Sequence, residues 1–213
     1  IGKKQMMAIT GLVWCGFVFG HMAGNLIFLF STDAYNAYGH GITSNKALYY
    51  AMEAGLLLTL VLHILFALLV VIGNAKARPV GYAVGQQKSD KTAATFASRT
   101  MKYSGALILV FIVLHLITFR FGPVYATTVD GVEMRDLATL MVETFTQTGY
   151  FVWYLVSMIM LCFHLEHALW SSLQTLGLIP AGREGSVRKA SYAFGIIVSI
   201  GFFANPLYIY LKG

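Results

Sequence analysis

Charge is what this chain has least of. Only 11% of its 213 residues are Asp, Glu, Lys or Arg, against about 25% in an ordinary soluble domain. So few charges cannot cover a water-exposed surface. With 57% hydrophobic residues, 15 Phe, 12 Tyr and a mean hydropathy of +0.68, a polytopic membrane protein is expected instead. Cysteine is nearly absent. Cys15 and Cys162 both fall in apolar runs, without disulfide or zinc spacing, and read as small core residues. Proline is scarce, four in all, and lies in or near loops or the last turns of the chain. No linker or low-complexity stretch is present, so residues 1–213 are expected to form one domain. No cleavable signal is expected within the first apolar run, which is too long for one and is followed by more runs. The chain starts at Ile1, and some preceding residues are expected.

A membrane span needs about 20 mostly apolar residues. Five such runs are present, at about Met6–Phe30, Ala54–Ile72, Tyr103–Phe119, Phe151–Leu173 and Tyr192–Tyr210. Between the first two lies a polar loop with Asp33, Asn36 and His40, and Glu53 stands at the mouth of the second span. An acidic connection, 120–147, joins the third and fourth spans, and its segment Leu137–Phe145 has the period of a short interfacial helix. Pro206 is placed to kink or end the last turns of the fifth span. The N-terminal stub, the loop 76–102 and the loop 183–189 hold eleven of the fifteen basic residues. The formal charge of +6 is therefore a loop property, and no nucleic-acid partner is expected. By the positive-inside rule those segments face the cytoplasm. The expected fold is an all-α bundle of five transmembrane helices, N-terminus cytoplasmic and C-terminus on the outer side.

Ionisable residues inside a span are costly and mark candidate sites. Four of the five spans carry histidine: His21, His63, His115, and His164 with His167. One intramembrane histidine is explained as well by a hydrogen bond to a neighbouring helix. Four spans are harder to explain that way. No Cys or carboxylate set has metal spacing, which leaves pairing of imidazoles between helices, the arrangement that holds haem b from both sides. Depth selects the pairs. His21 and His115 each lie about three residues to the outer side of their span centres. His164 lies about three residues to the inner side, and His63 is nearly central. At about 1.5 Å per residue the offsets are small, yet they favour an outer haem on His21 and His115 and an inner haem on His63 and His164.

Several nearby residues have two readings. Gly16, Gly20 and Gly24 form a smooth stripe beside His21, suited equally to close helix packing and to a porphyrin against the backbone. His167 is one turn past His164 and is an alternative ligand. Glu166 reads more readily as a carboxylate paired to His167 or to a loop cation than as a proton carrier. Arg99, Lys102, Lys3 and Lys4 stand where inner-haem propionates would emerge, but positive-inside placement explains them better.

At this point the chain resembles a known family. IGKK leading into HMAGNL, the NAYGH loop, SRTMKYSG ahead of VLHL, and HLEHALWSSLQTLG look like the single-subunit, five-helix, di-haem cytochrome b anchor of succinate dehydrogenase and fumarate reductase. The likeness runs from Ile1 to about Gly177, and the fifth span matches only in position and hydrophobicity. It implies axial ligands on the histidines of the first four spans, paired first with third and second with fourth. The fourth-span ligand of the family is the histidine six before Trp, which selects His164 from its spacing to Trp170. The second histidine, His167, departs from members with other residues there. The resemblance also implies two haem b groups, and flavoprotein and iron–sulfur subunits docked on the cytoplasmic face of a bacterial inner membrane. Those subunits interconvert succinate and fumarate, while this chain exchanges electrons with a quinone, commonly menaquinone in the di-haem form. A dimer of the whole complex is compatible with it. Asp33, His40 and Glu53 are outer-side quinone or proton candidates, with loop solvation the plainer account of each. Two other readings remain: a haem b anchor of a hydrogenase or formate dehydrogenase type, and a proton-coupled transporter. The transporter lacks the internal repeats and broken helices such proteins show.

Overall fold

The computed structural model describes the backbone of residues 2–77 and 96–212 and the side chains of 2–74, 76 and 100–212. The stretch 78–95 of the basic loop lies outside the described residues. Within them the chain forms seven helices and one hairpin: α1 (Gly2–Leu26), α2 (Thr32–Ser44), α3 (Lys46–Ala77), α4 (Phe96–His115), β1 (Ala126–Val129), β2 (Val132–Arg135), α5 (Leu137–Phe145), α6 (Thr148–Thr175) and α7 (Glu184–Lys212). A 3₁₀ turn, Ile27–Leu29, tightens the end of α1, and a π turn, Leu116–Arg120, extends α4. Five helical stretches are long and apolar enough to cross a membrane: Gly2–Leu29, Lys46–Asn74, Thr100–Arg120, Thr148–Thr175 and Glu184–Lys212.

The helices outlast the apolar runs in both directions, because backbone hydrogen bonding continues through polar turns once the helix is nucleated. Glu53 consequently sits two turns inside α3 rather than at its mouth. The expected loop at Asp33, Asn36 and His40 is helix α2 instead. Ser31 caps it, its hydroxyl accepting from the Ala34 N–H at 3.2 Å, and Asp33 occupies the acidic first turn. The expected loop 183–189 is largely the first turns of α7, which begins at Glu184. Pro206 does not end α7, which continues to Lys212. The chain is also not purely helical. Asp130 and Gly131, both at positive φ, turn β1 back on β2 with Thr127 opposite Met134, as an Asp-Gly pair favours. Helix α5 spans Leu137–Phe145 as its apolar period predicts.

Helix α6 is central, packing on α7, α4 and α1, and α1 packs in turn on α3 and α7. Helix α3 rests chiefly on α1 and exposes Leu57, Leu58, Val61, Leu65 and Leu68. Two apolar clusters fill the interior. One, around Cys15, Met22, Met158, Leu161, Leu165 and Val198, joins α1, α6 and α7. The other, around Phe28, Tyr35, Met141, Phe145, Tyr154 and Ile209, ties α2 and α5 to the end of the bundle.

Asn36 and Asp136 lock that end. Asn36, 2% exposed, donates to Asp136 Oδ1 at 2.9 Å and accepts the N–H groups of Leu137 and Ala138 at 2.9 and 3.0 Å. Asp136 caps α5 by accepting from the N–H and hydroxyl of Thr139. Burial opposes the Asp136 charge, but the Thr139 and Asn36 hydrogen bonds outweigh it and hold the carboxyl below its ordinary value. Its stabilising contribution is therefore fully present above that ordinary value and is lost as pH falls through the lower folded one. Replacing Asn36 with Ala strands the buried Ala138 N–H and the part-buried Leu137 N–H and is expected to cost about 1–3 kcal/mol. Amide exchange at Leu137 and Ala138 should rise well before the spans melt; unchanged protection there would remove the lock from this account.

Candidate functional site

The helices bring the span histidines together in two groups. In the first, His21 of α1 and His115 at the end of α4 have ring centroids 6.0 Å apart and planes at 85°. Phe17 stacks on His21 at 5.4 Å and Phe202 of α7 lies 5.7 Å from it. Phe111, Phe119 and Tyr154 surround His115. In the second group, His63 of α3 and His164 of α6 stand within electrostatic reach of each other. Gly11 and Gly105 lie against these two rings at ordinary contact distance. A Cβ added at Gly11 would lie 3.4 Å from His63 Cε1, and one at Gly105 would lie 3.5 Å from His164 Cε1.

Hydroxyl groups on neighbouring helices orient three of the four imidazoles. His63 Nδ1 is 3.2 Å from Thr10 Oγ1, His164 Nδ1 is 3.1 Å from Ser104 Oγ, and His115 Nδ1 is 2.9 Å from Tyr154 Oη. A hydroxyl has one hydrogen. Thr10 already donates its own to the Met6 carbonyl at 2.8 Å, and Ser104 donates to the Met101 carbonyl at 3.1 Å. With the hydroxyl hydrogens on those carbonyls, Nδ1 of His63 and of His164 would donate to the hydroxyl oxygens and Nε2 of each ring would keep its lone pair. Metal-ligating histidines are commonly held in this way, with the second nitrogen donating to an outer partner. His21 differs: the Asn25 amide reaches its Nε2 only at 3.5 Å, while bonding the His21 carbonyl at 2.8 Å.

The residues fit haem b. At metal–imidazole bonds of about 2.0–2.1 Å, two rings on opposite sides of one ion have centroids about 6 Å apart, which matches His21 and His115. Among the described residues no three His, Cys, Asp or Glu side chains gather as a metal cluster, and a bis-imidazole site needs only two.

The remaining candidates are dispersed. Gly20 faces open space, whereas Gly24 is covered by the Tyr38 ring, 2.5 Å from where a Cβ would stand. Gly24 thus serves the packing of α2 on α1. Asp33 is exposed and His40 half-buried on α2. Glu53 accepts from Arg120 Nε at 2.5 Å and Nη2 at 3.2 Å and from the Tyr49 hydroxyl at 2.5 Å, a link between α3 and the π turn after His115. Glu166 is hydrogen-bonded by Tyr192, and Arg188 interacts with both Glu166 and His167 while lying 5.8 Å over the Trp170 ring. Lys102 is exposed and reaches the Tyr103 ring at 4.7 Å. The side chain of Arg99 lies outside the described residues. Lys3 and Lys4 are exposed at the start of α1.

The chain matches no protein-family model, no characterised protein and no solved structure.

Thr10, Ser104 and Tyr154 are the residues that sequence reasoning missed. Their partners lie 53, 60 and 39 positions away, and no periodicity reports contacts over such distances. The bond of the buried Tyr154 and that of the half-buried Tyr49 make a controlled comparison, because only the first serves an imidazole in the interior of the bundle. Tyr154→Phe should lower stability by about 1–3 kcal/mol by stranding a buried imidazole nitrogen. Tyr49→Phe should stay within about 0.5 kcal/mol. Thermal unfolding of the detergent-solubilised protein reads both, and equal effects would mean that the Tyr154 hydroxyl orients nothing.

Proposed function

We propose that this chain is the membrane anchor and electron-transfer subunit of a succinate dehydrogenase or fumarate reductase complex. The observation that carries the haem part of this reading is the placement of His63 Nδ1 on the Thr10 hydroxyl and of His164 Nδ1 on the Ser104 hydroxyl, which leaves Nε2 of each ring without a protein hydrogen-bond partner among these contacts. The approach of His21 to His115 supports it at the other level of the bundle. His21 with His115 and His63 with His164 would each hold one haem b. When bound, these groups supply reversible one-electron transfer. The protein's part is to orient the imidazoles through Thr10, Ser104 and Tyr154 and to surround the His21–His115 level with the rings of Phe17, Phe111, Phe119 and Phe202.

The dicarboxylate part rests on the family resemblance of the quoted motifs. In that reading the chain is a multi-pass protein of a bacterial cytoplasmic membrane, with its basic loops and N-terminus inside. A flavoprotein and an iron–sulfur subunit dock there, and menaquinone is the membrane partner. Glu166 belongs to a tie between α6 and α7 with Tyr192 and Arg188, His167 lies beside Arg188 without such a bond among the described residues, and neither is assigned to the haem.

A reduced-minus-oxidised visible spectrum of the purified protein tests the reading, and the absence of a b-type band would end it. Pyridine haemochrome analysis should give two haems per chain. His164→Ala should remove one of them and His167→Ala should spare both; the reverse pattern would exchange the roles of these residues. Copurification with a flavin-bearing subunit separates the dicarboxylate enzymes from other respiratory complexes.

A further inference from the structure

Where α7 passes the end of α1, one buried side-chain acceptor has no donor and a helix carbonyl one turn earlier has lost its own. Asn205 is 2% exposed and gives its side-chain N–H to the Asn25 carbonyl at 2.7 Å. A carbonyl only accepts, so the NH₂ end of the Asn205 amide must face it and Oδ1 must face away. Oδ1 is buried and has no partner. The next residue, Pro206, is fully buried inside the helix. A proline has no N–H, so the carbonyl four residues earlier, that of Phe202, loses its helical donor. No side chain donates to that carbonyl among the described residues. In a helix the side chain of residue 205 leans back towards the preceding turn, the one that carries the Phe202 carbonyl.

Two adjacent acceptors in an apolar interior are costly unless one donor serves both. Water has two hydrogens, and ordered water is a recognised remedy for the carbonyl that proline frees in a membrane helix. We infer that a single buried water molecule bridges the Phe202 carbonyl and Asn205 Oδ1. Its oxygen is open to the second amide hydrogen of Asn25, whose only other acceptor here is His21 Nε2 at 3.5 Å. Tyr35 completes the chain by donating its hydroxyl to Asn25 Oδ1 at 3.2 Å. The water thus stands at the inner end of a polar thread, Tyr35–Asn25–water, which leads from α2 to the surroundings of His21. Phe202, whose carbonyl holds the water, presents its ring to His21 at 5.7 Å. Nothing in this inference depends on a haem or on an associated enzyme.

The test is an experimental structure of the full chain in detergent, at a resolution that shows ordered solvent, for the native protein and for Pro206→Ala. The native map should contain one solvent density within hydrogen-bond distance of both the Phe202 carbonyl and Asn205 Oδ1. In Pro206→Ala the restored N–H satisfies the Phe202 carbonyl, and the density should be lost or reduced. A dry native site overturns the inference. So does a density that persists unchanged in Pro206→Ala, because the Phe202 carbonyl would then not be holding it. If that variant does not fold, the native map alone decides.

Discussion

An imidazole in a hydrocarbon interior must find a partner for its N–H, because water is absent and the unpaired group costs several kcal/mol. That requirement runs through the bundle. His63 on α3 bonds Thr10 on α1, and His115 and His164 exchange partners across α4 and α6 through Tyr154 and Ser104. The same helix pairs, α1 with α3 and α4 with α6, are among the principal packing partners of the fold. Satisfying the histidines and assembling the helices are therefore one task. Each hydroxyl orients an imidazole and also joins two helices.

The end of the bundle near His21 and His115 follows a related logic with amides in place of hydroxyls. Asn36 satisfies Asp136 and two N–H groups of α5, and Asn25 and Asn205 join α1 to α7. Aromatic rings fill the space around these contacts, with Phe145 edge-on to Tyr154 at 4.7 Å and Phe111 likewise at 4.9 Å. The polar pairs set direction and the rings pack around them.

Much of this was legible in the sequence, for definite reasons. Five long apolar runs announce five helices, because the bilayer thickness imposes a length that composition alone can report. The 3.6-residue period of Leu137–Phe145 marks α5 to its ends. The polar stretch 31–44 was not read correctly, because polarity suggested a loop although Ser31 and Asp33 form a helix start. The Asp130-Gly131 turn was a readable hairpin signal that the acidity of its surroundings concealed. What the sequence does not contain is partnership between helices. Nothing local distinguishes Thr10 or Ser104 from any other hydroxyl in an apolar run, and the Glu53–Arg120 pair joins residues 67 positions apart.

Helix α7 carries no histidine, yet it sets the location of one. Gly195 presses so close to α6 that a Cβ there would stand 2.7 Å from the Cys162 carbonyl oxygen. The backbones of the two helices touch two residues before His164. Side chains between helices usually act as compressible spacers, and here there is none. The height and rotation of α6 are gauged directly against a neighbouring main chain, so the His164 ring inherits its coordinates from α7. A thickening of α7 by one methyl group would be relayed through rigid peptide units and would move that ring relative to Ser104 and His63. The fifth span, whose sequence is least informative about function, thus serves as the datum from which a polar centre on another helix is measured.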